Sequence, residues 1–375
     1  MLKFASRFPA ALAGLALSFV AAPNALAQHY TRTDLTVNTA SVSATAPNTD
    51  ANLRNAWGLS RGTPTPWWIS DNGAGVSTLY SGAGVPQPST PPAVPLIVTI
   101  PGLNGNQSAP TGTVFNYSTG FEVATGKKSI FMFVTEDGTI AGWNPGVKPT
   151  EAVIAYPPAG TSPGDAVYKG CTLVTTDKGT FLYVANFGES RIDVFDSSFH
   201  PVRFHEPAFR AFRIPHGYAP FNVQNVGGNV VVTYAKKQRG SDDEAHGAGL
   251  GFVAIFDPRG RLLLQLDHGP FLNAPWGIAQ APSDFGVFSH RLLIGNFGDG
   301  TINVFNAVSG EFEGKLLDAS GAPLWIDGLW ALSFGSNGAS GSAVELYFTA
   351  GPNEESNGLF GKITPSAAEN RGNNE

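Results

Sequence analysis

Four short strand-like segments recur six times along this chain at a period near 54 residues, and that repeat constrains the fold more than any other feature. One segment of each unit runs into an aromatic residue and then a turn. These are "VSTLYS" (76–81), "TIAGWN" (139–144), "RIDVFD" (191–196), "FVAIFD" (252–257), "TINVFN" (301–306) and, more loosely, "NGLFGKI" (357–363). Each alternates roughly with period two, as a strand does. Before most of them stands another strand closed by a tight turn, as in "WWISDNGAG" (67–75), "FMFVTEDGT" (131–139) and "RLLIGNFGDG" (291–300). The Asn-Gly, Asp-Gly and Phe-Gly steps supply the positive φ that hairpin turns need. The fourth unit, "NVVVTYAKK" (229–237), has a longer connection instead.

A further strand opens each unit, at "NAWGLS", "APTGTVF", "VYKGCTLV", "YAPFNVQNV", "APWGIAQ" and "DGLWALSF". Aligning Trp57, Thr111, Lys169, Phe221, Trp276 and Trp330 gives successive gaps of 54, 58, 52, 55 and 54. A fourth strand follows five of the units, at "PLIVTIP" (95–101), "AVIAYP" (152–157), "FRAFRIP" (209–215), "LLLQLDHG" (262–269) and "FEGKLLD" (312–318). This is the pattern of an all-β, six-bladed β-propeller with four antiparallel strands per blade. A β-sandwich pair or a β-helix accounts less well for so regular a unit. The sixth unit lacks its fourth strand, and "YTRTDLTVN" (30–38) can supply it, closing the ring and removing its open edges. Phe195, Phe256 and Phe305 are expected between blades. "NFGESRIDVF" (186–195) and "NFGDGTINVF" (296–305), 110 residues apart, then occupy equivalent places two blades apart.

Residues 1–27 read as a secretory signal peptide. Lys3 and Arg7 give a positive start, 10–22 is an apolar run short for a membrane span, and "ALA" (25–27) has the small residues of a cleavage point. The alternative is an uncleaved anchor. The propeller domain is expected over 28–364 and a polar flexible tail over 365–375. Losing the leader with Lys3 and Arg7 takes the net charge from −6 to −8, which argues against nucleic acid as a partner. With 45 Gly, 28 Pro and only 14% charged residues, the chain is turn-rich rather than disordered. The single cysteine, Cys171, sits in the apolar run "GCTLV" and reads as a buried hydrophobe rather than a nucleophile.

In such a ring the loops leading into the innermost strands meet those joining the second and third strands on one face. Loops on a rigid scaffold carry most sites. The candidate ligand-binding residues there are Trp57, Lys169, Phe187, Tyr218, Phe221, Trp276, Phe297 and Trp330, the tryptophans offering a stacking floor. Asp71, Asp137, Asn186, Asn296 and Asp327 supply the oxygens that a hard cation such as Ca²⁺ takes, although tight turns use the same residues. Residues 236–251 bear Lys236, Lys237, Arg239, Asp242, Asp243, Glu244 and His246 between glycines. They read as a solvated loop or as a lid over the channel. No spaced His pair, G-x-S-x-G elbow, P-loop or dinucleotide fingerprint is present.

"NAWGLS", "TEDGTIAGWN", "YVANFGESRIDVFD", "GYAPFNVQNVGGNVVVTYAK", "NAPWGIAQAPSDFG", "LLIGNFGDGTINVF" and "LYFTAGPNEESNGLFGKI" resemble, in order over about 30–364, a family of exported bacterial conserved hypothetical proteins similar to NHL-type propellers. The resemblance implies a propeller and an exported address, and it carries over no catalytic residues. Some members bear a C-terminal PEP-CTERM sorting signal; "RGNNE" ends this chain without one, so a released, secreted or periplasmic protein is expected. Likeness to gluconolactonase- and paraoxonase-type lactonases is at the level of fold alone. The leading expectation is a binding or interaction module whose channel face takes a small molecule or an extracellular protein or polymer, with no stable membrane insertion. The alternative is a Ca²⁺-dependent hydrolase or lyase of small esters or lactones on the same face, and a third is a purely structural envelope protein.

Overall fold

The computed structural model describes residues 28–88, 94–157, 159–204, 208–211 and 213–366. The leader read at 1–27 and nearly all of the polar tail lie outside them. Among the described residues no helix is long and apolar enough to cross a membrane.

Alternating apolar segments and glycine turns fold as the repeat requires. Blade 1 is Ala56–Ser60, Trp67–Asp71, Val76–Tyr80 and Ile97–Thr99. Blade 2 is Pro110–Phe115, Phe131–Thr135, Ile140–Trp143 and Val153–Tyr156. Blade 3 is Tyr168–Thr176, Gly179–Asn186 and Arg191–Phe195. Blade 4 is Tyr218–Val226, Asn229–Lys237, Gly251–Phe256 and Leu262–Gln265. Blade 5 is Pro275–Gln280, Leu292–Asn296, Ile302–Phe305 and Phe312–Lys315. Blade 6 is Leu329–Phe334, Leu346–Ala350, Leu359–Pro365 and, from the other end of the chain, Tyr30–Val37. Neighbours within each blade are antiparallel, and the first strands of successive blades lie side by side around the axis.

Ring closure takes the expected form. Tyr30–Val37 pairs with Leu359–Pro365 from Tyr30↔Pro365 to Val37↔Leu359, so the last strand runs one residue into the segment read as tail. Phe195, Phe256 and Phe305 fill the seams between blades 2 and 3, 3 and 4, and 4 and 5.

Blade 3 departs from expectation. Among the described residues of 209–215 none is in a strand. At the Val194–Phe195 end, the outer edge of Arg191–Phe195 carries the Phe195↔Pro201 bridge and the Val202 N–H to Val194 O bond of 2.7 Å. Phe209 turns inward at φ 58°, bonds Gly260 O through its N–H, and packs on Tyr183 and Phe256. Burying the ring on two neighbouring rings replaces ladder pairing there.

A chain beginning at Asn38 would leave Leu359–Pro365 as an open edge with unpaired backbone groups. It should lose stability on the scale of the whole domain, about 5–15 kcal/mol, and show no cooperative melt by circular dichroism. A melt within a few degrees of the full chain's would contradict closure by this strand.

Candidate functional site

Every innermost strand breaks its ladder at one place. Two residues oppose one at Trp57, Thr111, Lys169, Phe221, Trp276 and Trp330 or the residue beside them. A β-bulge re-aims the side chain it carries. Six bulges at one level set these residues around the axis, at the positions aligned from sequence. At that level the residue just past the second strand is Asn72, Glu136, Phe187, Phe297 and Gly351 in blades 1, 2, 3, 5 and 6, while in blade 4, whose second strand runs on to Lys237, it is Ala235.

The Asn-Phe-Gly echo has a local cause. Asn186 Oδ1 accepts the Val167 and Glu189 N–H groups, and Nδ2 donates to Glu189 and Asp193. Asn296 likewise accepts from Asn273 N–H and donates to Phe271 O and Asp299. Each amide ties its turn to the loop leading into the inner strand. The next N–H bonds that loop (Phe187 to Val167 O at 2.8 Å, Phe297 to Ala274 O at 3.0 Å), and both rings join the channel cluster. Glycine follows because a Cβ at Gly188 would stand 2.1 Å from Asp165 O, and one at Gly298 2.1 Å from Asn273 Oδ1.

The channel is filled by stacked rings. Trp330 is sandwiched between Trp57, at 3.6 Å between centroids, and Phe297, at 3.8 Å. Trp276 meets both tryptophans edge-on, and Phe221 links Trp330 to Phe187. Trp276 Nε1 donates to Lys169 O (3.0 Å) and Trp330 Nε1 to Asn55 Oδ1 (2.9 Å).

A polar network lies against this plug. Lys169 is 1% exposed. Its Nζ lies 5.1 Å from the Trp57 ring centre, 2.5 Å from Glu136 Oε1 and 3.8 Å from Asp243 Oδ1. Glu136 Oε2 accepts from Asn72 Nδ2, Asn72 Oδ1 accepts from Asn55 Nδ2, and that same Nδ2 lies 2.6 Å from Glu355 Oε2. The net thus runs unbroken from Lys169 to Glu355, with Asp243 on Lys169 adding blade 4. Burial pushes the Lys169 ammonium toward losing its proton, but Glu136, Glu244 and Asp243 outweigh it, and the pKa ends above the ordinary lysine value. Burial, then the charges of Glu244 and Glu136, raise the Glu355 carboxyl to about 7 against the opposing pull of Asn55 and Lys169. Glu355 sits on a turn whose residues Asn353, Glu354 and Glu355 all have positive φ, of 56°, 52° and 63°. Each costs on the order of 1–3 kcal/mol and persists only where its surroundings impose it. Asp327 Oδ2 holds that turn by accepting Asn353 N–H at 2.9 Å.

Residues 236–251 fold over this mouth. Glu244–Ala245 pairs with Lys236–Lys237, and Gly247 N–H bonds Asn273 Oδ1. Glu244 is thereby buried. His246 lies 3.3 Å from it and edge-on to Phe297. The hydrogen bond to Glu244 raises the His246 pKa more than its partial burial lowers it.

No protein-family model matches the chain. It is 31% identical over 325 residues to the uncharacterised protein R648 of Acanthamoeba polyphaga mimivirus, covering 85% of this chain and 76% of that one. It is 30% identical over 327 residues to that virus's uncharacterised protein L690, at 85% and 82% coverage. The chain belongs to their family. In architecture this member is similar to a streptogramin B lyase (TM-score 0.51, 11% identity, 90% of this chain and 98% of that one). It is also similar to a glucose dehydrogenase (TM-score 0.50, 12% identity, 84% and 98%). At such identities these two matches show a shared propeller fold alone.

Of the sequence-derived ligand set, this fold brings together Trp57, Lys169, Phe187, Phe221, Trp276, Phe297 and Trp330. The aromatic rings are spent largely on one another, so they form a plug rather than an open stacking floor. Tyr218 is elsewhere, edge-on to Phe252 between blades 3 and 4. The five proposed Ca²⁺ ligands do not converge. Asp71 is wholly buried inside blade 1 on Thr78 Oγ1, and burial holds its carboxyl well above the usual range. Asp137 bonds Thr135 and the Leu103 N–H, Asn186 and Asn296 tie their own turns, and Asp327 holds the 353–355 turn. Among the described residues no three His, Cys, Asp or Glu side chains are arranged to hold a metal ion. These residues do not fit a Ca²⁺ site. Cys171 is buried, and its thiol is pushed far above its ordinary value. Glu355 was absent from the sequence-derived set. Among the described residues, the run of three positive-φ residues that presents it recurs in no other blade, so the repeat could not point to it.

Trp276→Ala should cost about 3–5 kcal/mol, because it opens the plug and orphans Lys169 O. Urea denaturation measures this, and a loss under 1 kcal/mol would show that the plug is not a unit.

Proposed function

We propose that the channel mouth binds a small polar molecule and transfers a proton to or from it, in an elimination or ester-hydrolysis reaction. The observation that carries this reading is Glu355: a carboxyl raised to about 7, joined by hydrogen bonds through Asn55, Asn72 and Glu136 to a buried, charged lysine. Near neutrality both of its forms are populated, so it can take a proton from a substrate or give one to a leaving oxygen. Lys169 stays charged within this net and offsets negative charge developing on a substrate oxygen. Glu136, Glu355 and His246 keep part of their surface in solvent, so a molecule can reach them beneath residues 236–251. A binding module and an enzyme need the same mouth; the proton carrier favours the enzyme. The similarity to a streptogramin B lyase supports the reading only in that such a scaffold hosts lyase chemistry. We propose further that the mature protein acts outside the cytoplasm, secreted or periplasmic, on the strength of the leader-like residues 1–27.

The mature chain should turn over members of a panel of small lactones and esters with a rate governed by an ionisation near pH 7. Glu355→Gln should lower kcat by about 10²–10⁴-fold while still binding the substrate. Turnover unchanged in Glu355→Gln would remove the proposed role.

Stability gives a readout that needs no substrate. Unfolded, Glu355 gives up its proton near 4.5; folded, near 7. Its contribution is therefore complete below pH 4.5 and lost as the pH rises through 7, a fall of up to about 3 kcal/mol. Chemical denaturation between pH 5 and 8 should show wild type declining more steeply than Glu355→Gln, and parallel curves would contradict the raised pKa.

A further inference from the structure

The opposite end of the channel has different chemistry. There the inner strands end, and a cavity of about 270 Å³ lies among those of blades 4, 5 and 6, with Arg61 arriving from blade 1. Arg61 follows its strand directly. Its Nε donates to Phe334 O (2.8 Å), its Nη2 to Gly335 O (2.7 Å), and the guanidinium lies 5.6 Å from the Trp67 ring centre. This half-buried cation makes no ion pair among the described residues. Burial alone moves its pKa, downward, with no carboxylate opposing. A partly desolvated charge normally has a counter-charge, and Arg61 has carbonyl dipoles on one edge with Nη1 left over.

The rest of the lining suits a short ligand with one charged end. Asn225, Gln280 and Ser333 stand around the rim, while Ile278 and Leu332 are buried apolar walls. Deeper, a void of about 10 Å³ continues past Thr113, whose buried Oγ1 has no hydrogen-bond partner. We propose that this far mouth is a second binding site, taking a small carboxylate of a few carbon atoms with its oxygens on Arg61 and its apolar part on Ile278 and Leu332. Charge-assisted bonds from a guanidinium are the strongest that such a site can offer. The carboxylates at the other mouth, Glu136, Asp243 and Glu244, repel the same ligand, so the channel discriminates between its ends by charge. The inference stands apart from the acid–base reading of that mouth.

Isothermal titration of the mature chain with sodium propionate, against sodium chloride at matched ionic strength, tests it. Wild type should bind saturably at one site, and so should Glu355→Gln. Arg61→Gln should weaken binding about tenfold or more. Ser333→Leu should do the same by filling the cavity while leaving the Arg61 carbonyl bonds in place. Inorganic phosphate should fail to displace propionate, because it makes no use of Ile278 and Leu332. Absence of saturable heat, or binding retained in both Arg61→Gln and Ser333→Leu, would overturn the site. Displacement by equimolar phosphate would overturn its assignment to a carboxylate.

Discussion

A lysine ammonium held almost wholly out of water organises the centre of this propeller. A cation so placed needs anionic and dipolar neighbours or it loses its proton. Lys169 finds Glu136 and Asp243 on one side and the Trp57 and Phe187 rings on the other. Phe187 comes from blade 3 itself, Trp57 and Glu136 from blades 1 and 2, and Asp243 from residues 236–251, so the charge is satisfied only once blades 1 to 4 have assembled. The bulges make this possible by turning one residue of each inner strand to the axis, and the tryptophan stack excludes the water that would otherwise screen the pair.

The same arrangement explains where polar strain has gathered. Asn55, with φ 45°, accepts from Trp330 and donates to Asn72 and Glu355. Residues 353–355, all left-handed, present Glu355 to that amide. Backbone strain beside a raised carboxyl and a buried cation, at the mouth of a rigid ring, is the combination expected where binding energy is used for chemistry. The far mouth, with Arg61 held by two carbonyls and the Trp67 ring and by no carboxylate among the described residues, carries the opposite charge. A single channel thus has two ends that differ in sign, separated by a plug of aromatic rings.

Much of this was legible in the sequence because a propeller is periodic. The spacing of Trp57, Thr111, Lys169, Phe221, Trp276 and Trp330 marks equivalent inner-strand positions, although nothing in it foretold the bulges found there, and "YTRTDLTVN" located the closure. What escaped was aperiodic. Among the described residues of "FRAFRIP" none is in a strand, and Phe209 is instead buried on Tyr183 and Phe256. Glu355 lies on a turn peculiar to blade 6 and was missed, whereas Glu244 stood out only because the 236–251 insertion interrupts the repeat. Asp71, Asp137, Asn186, Asn296 and Asp327 looked like cation ligands because turns and Ca²⁺ sites draw on the same oxygens. Hydrogen bonds show Asp137, Asn186, Asn296 and Asp327 engaged in turns and loops, while Asp71 is enclosed within blade 1 with only Oδ2 paired.

The central claim is that Glu355 carries a proton near neutral pH while Lys169 below it remains charged. The most direct measurement is a ¹³C NMR titration of glutamate side-chain carboxyls, with Glu355 assigned by its loss in Glu355→Gln. The account predicts one carboxyl titrating within about a unit of pH 7. Titration of Glu355 with the ordinary surface glutamates, near 4.3, would contradict it.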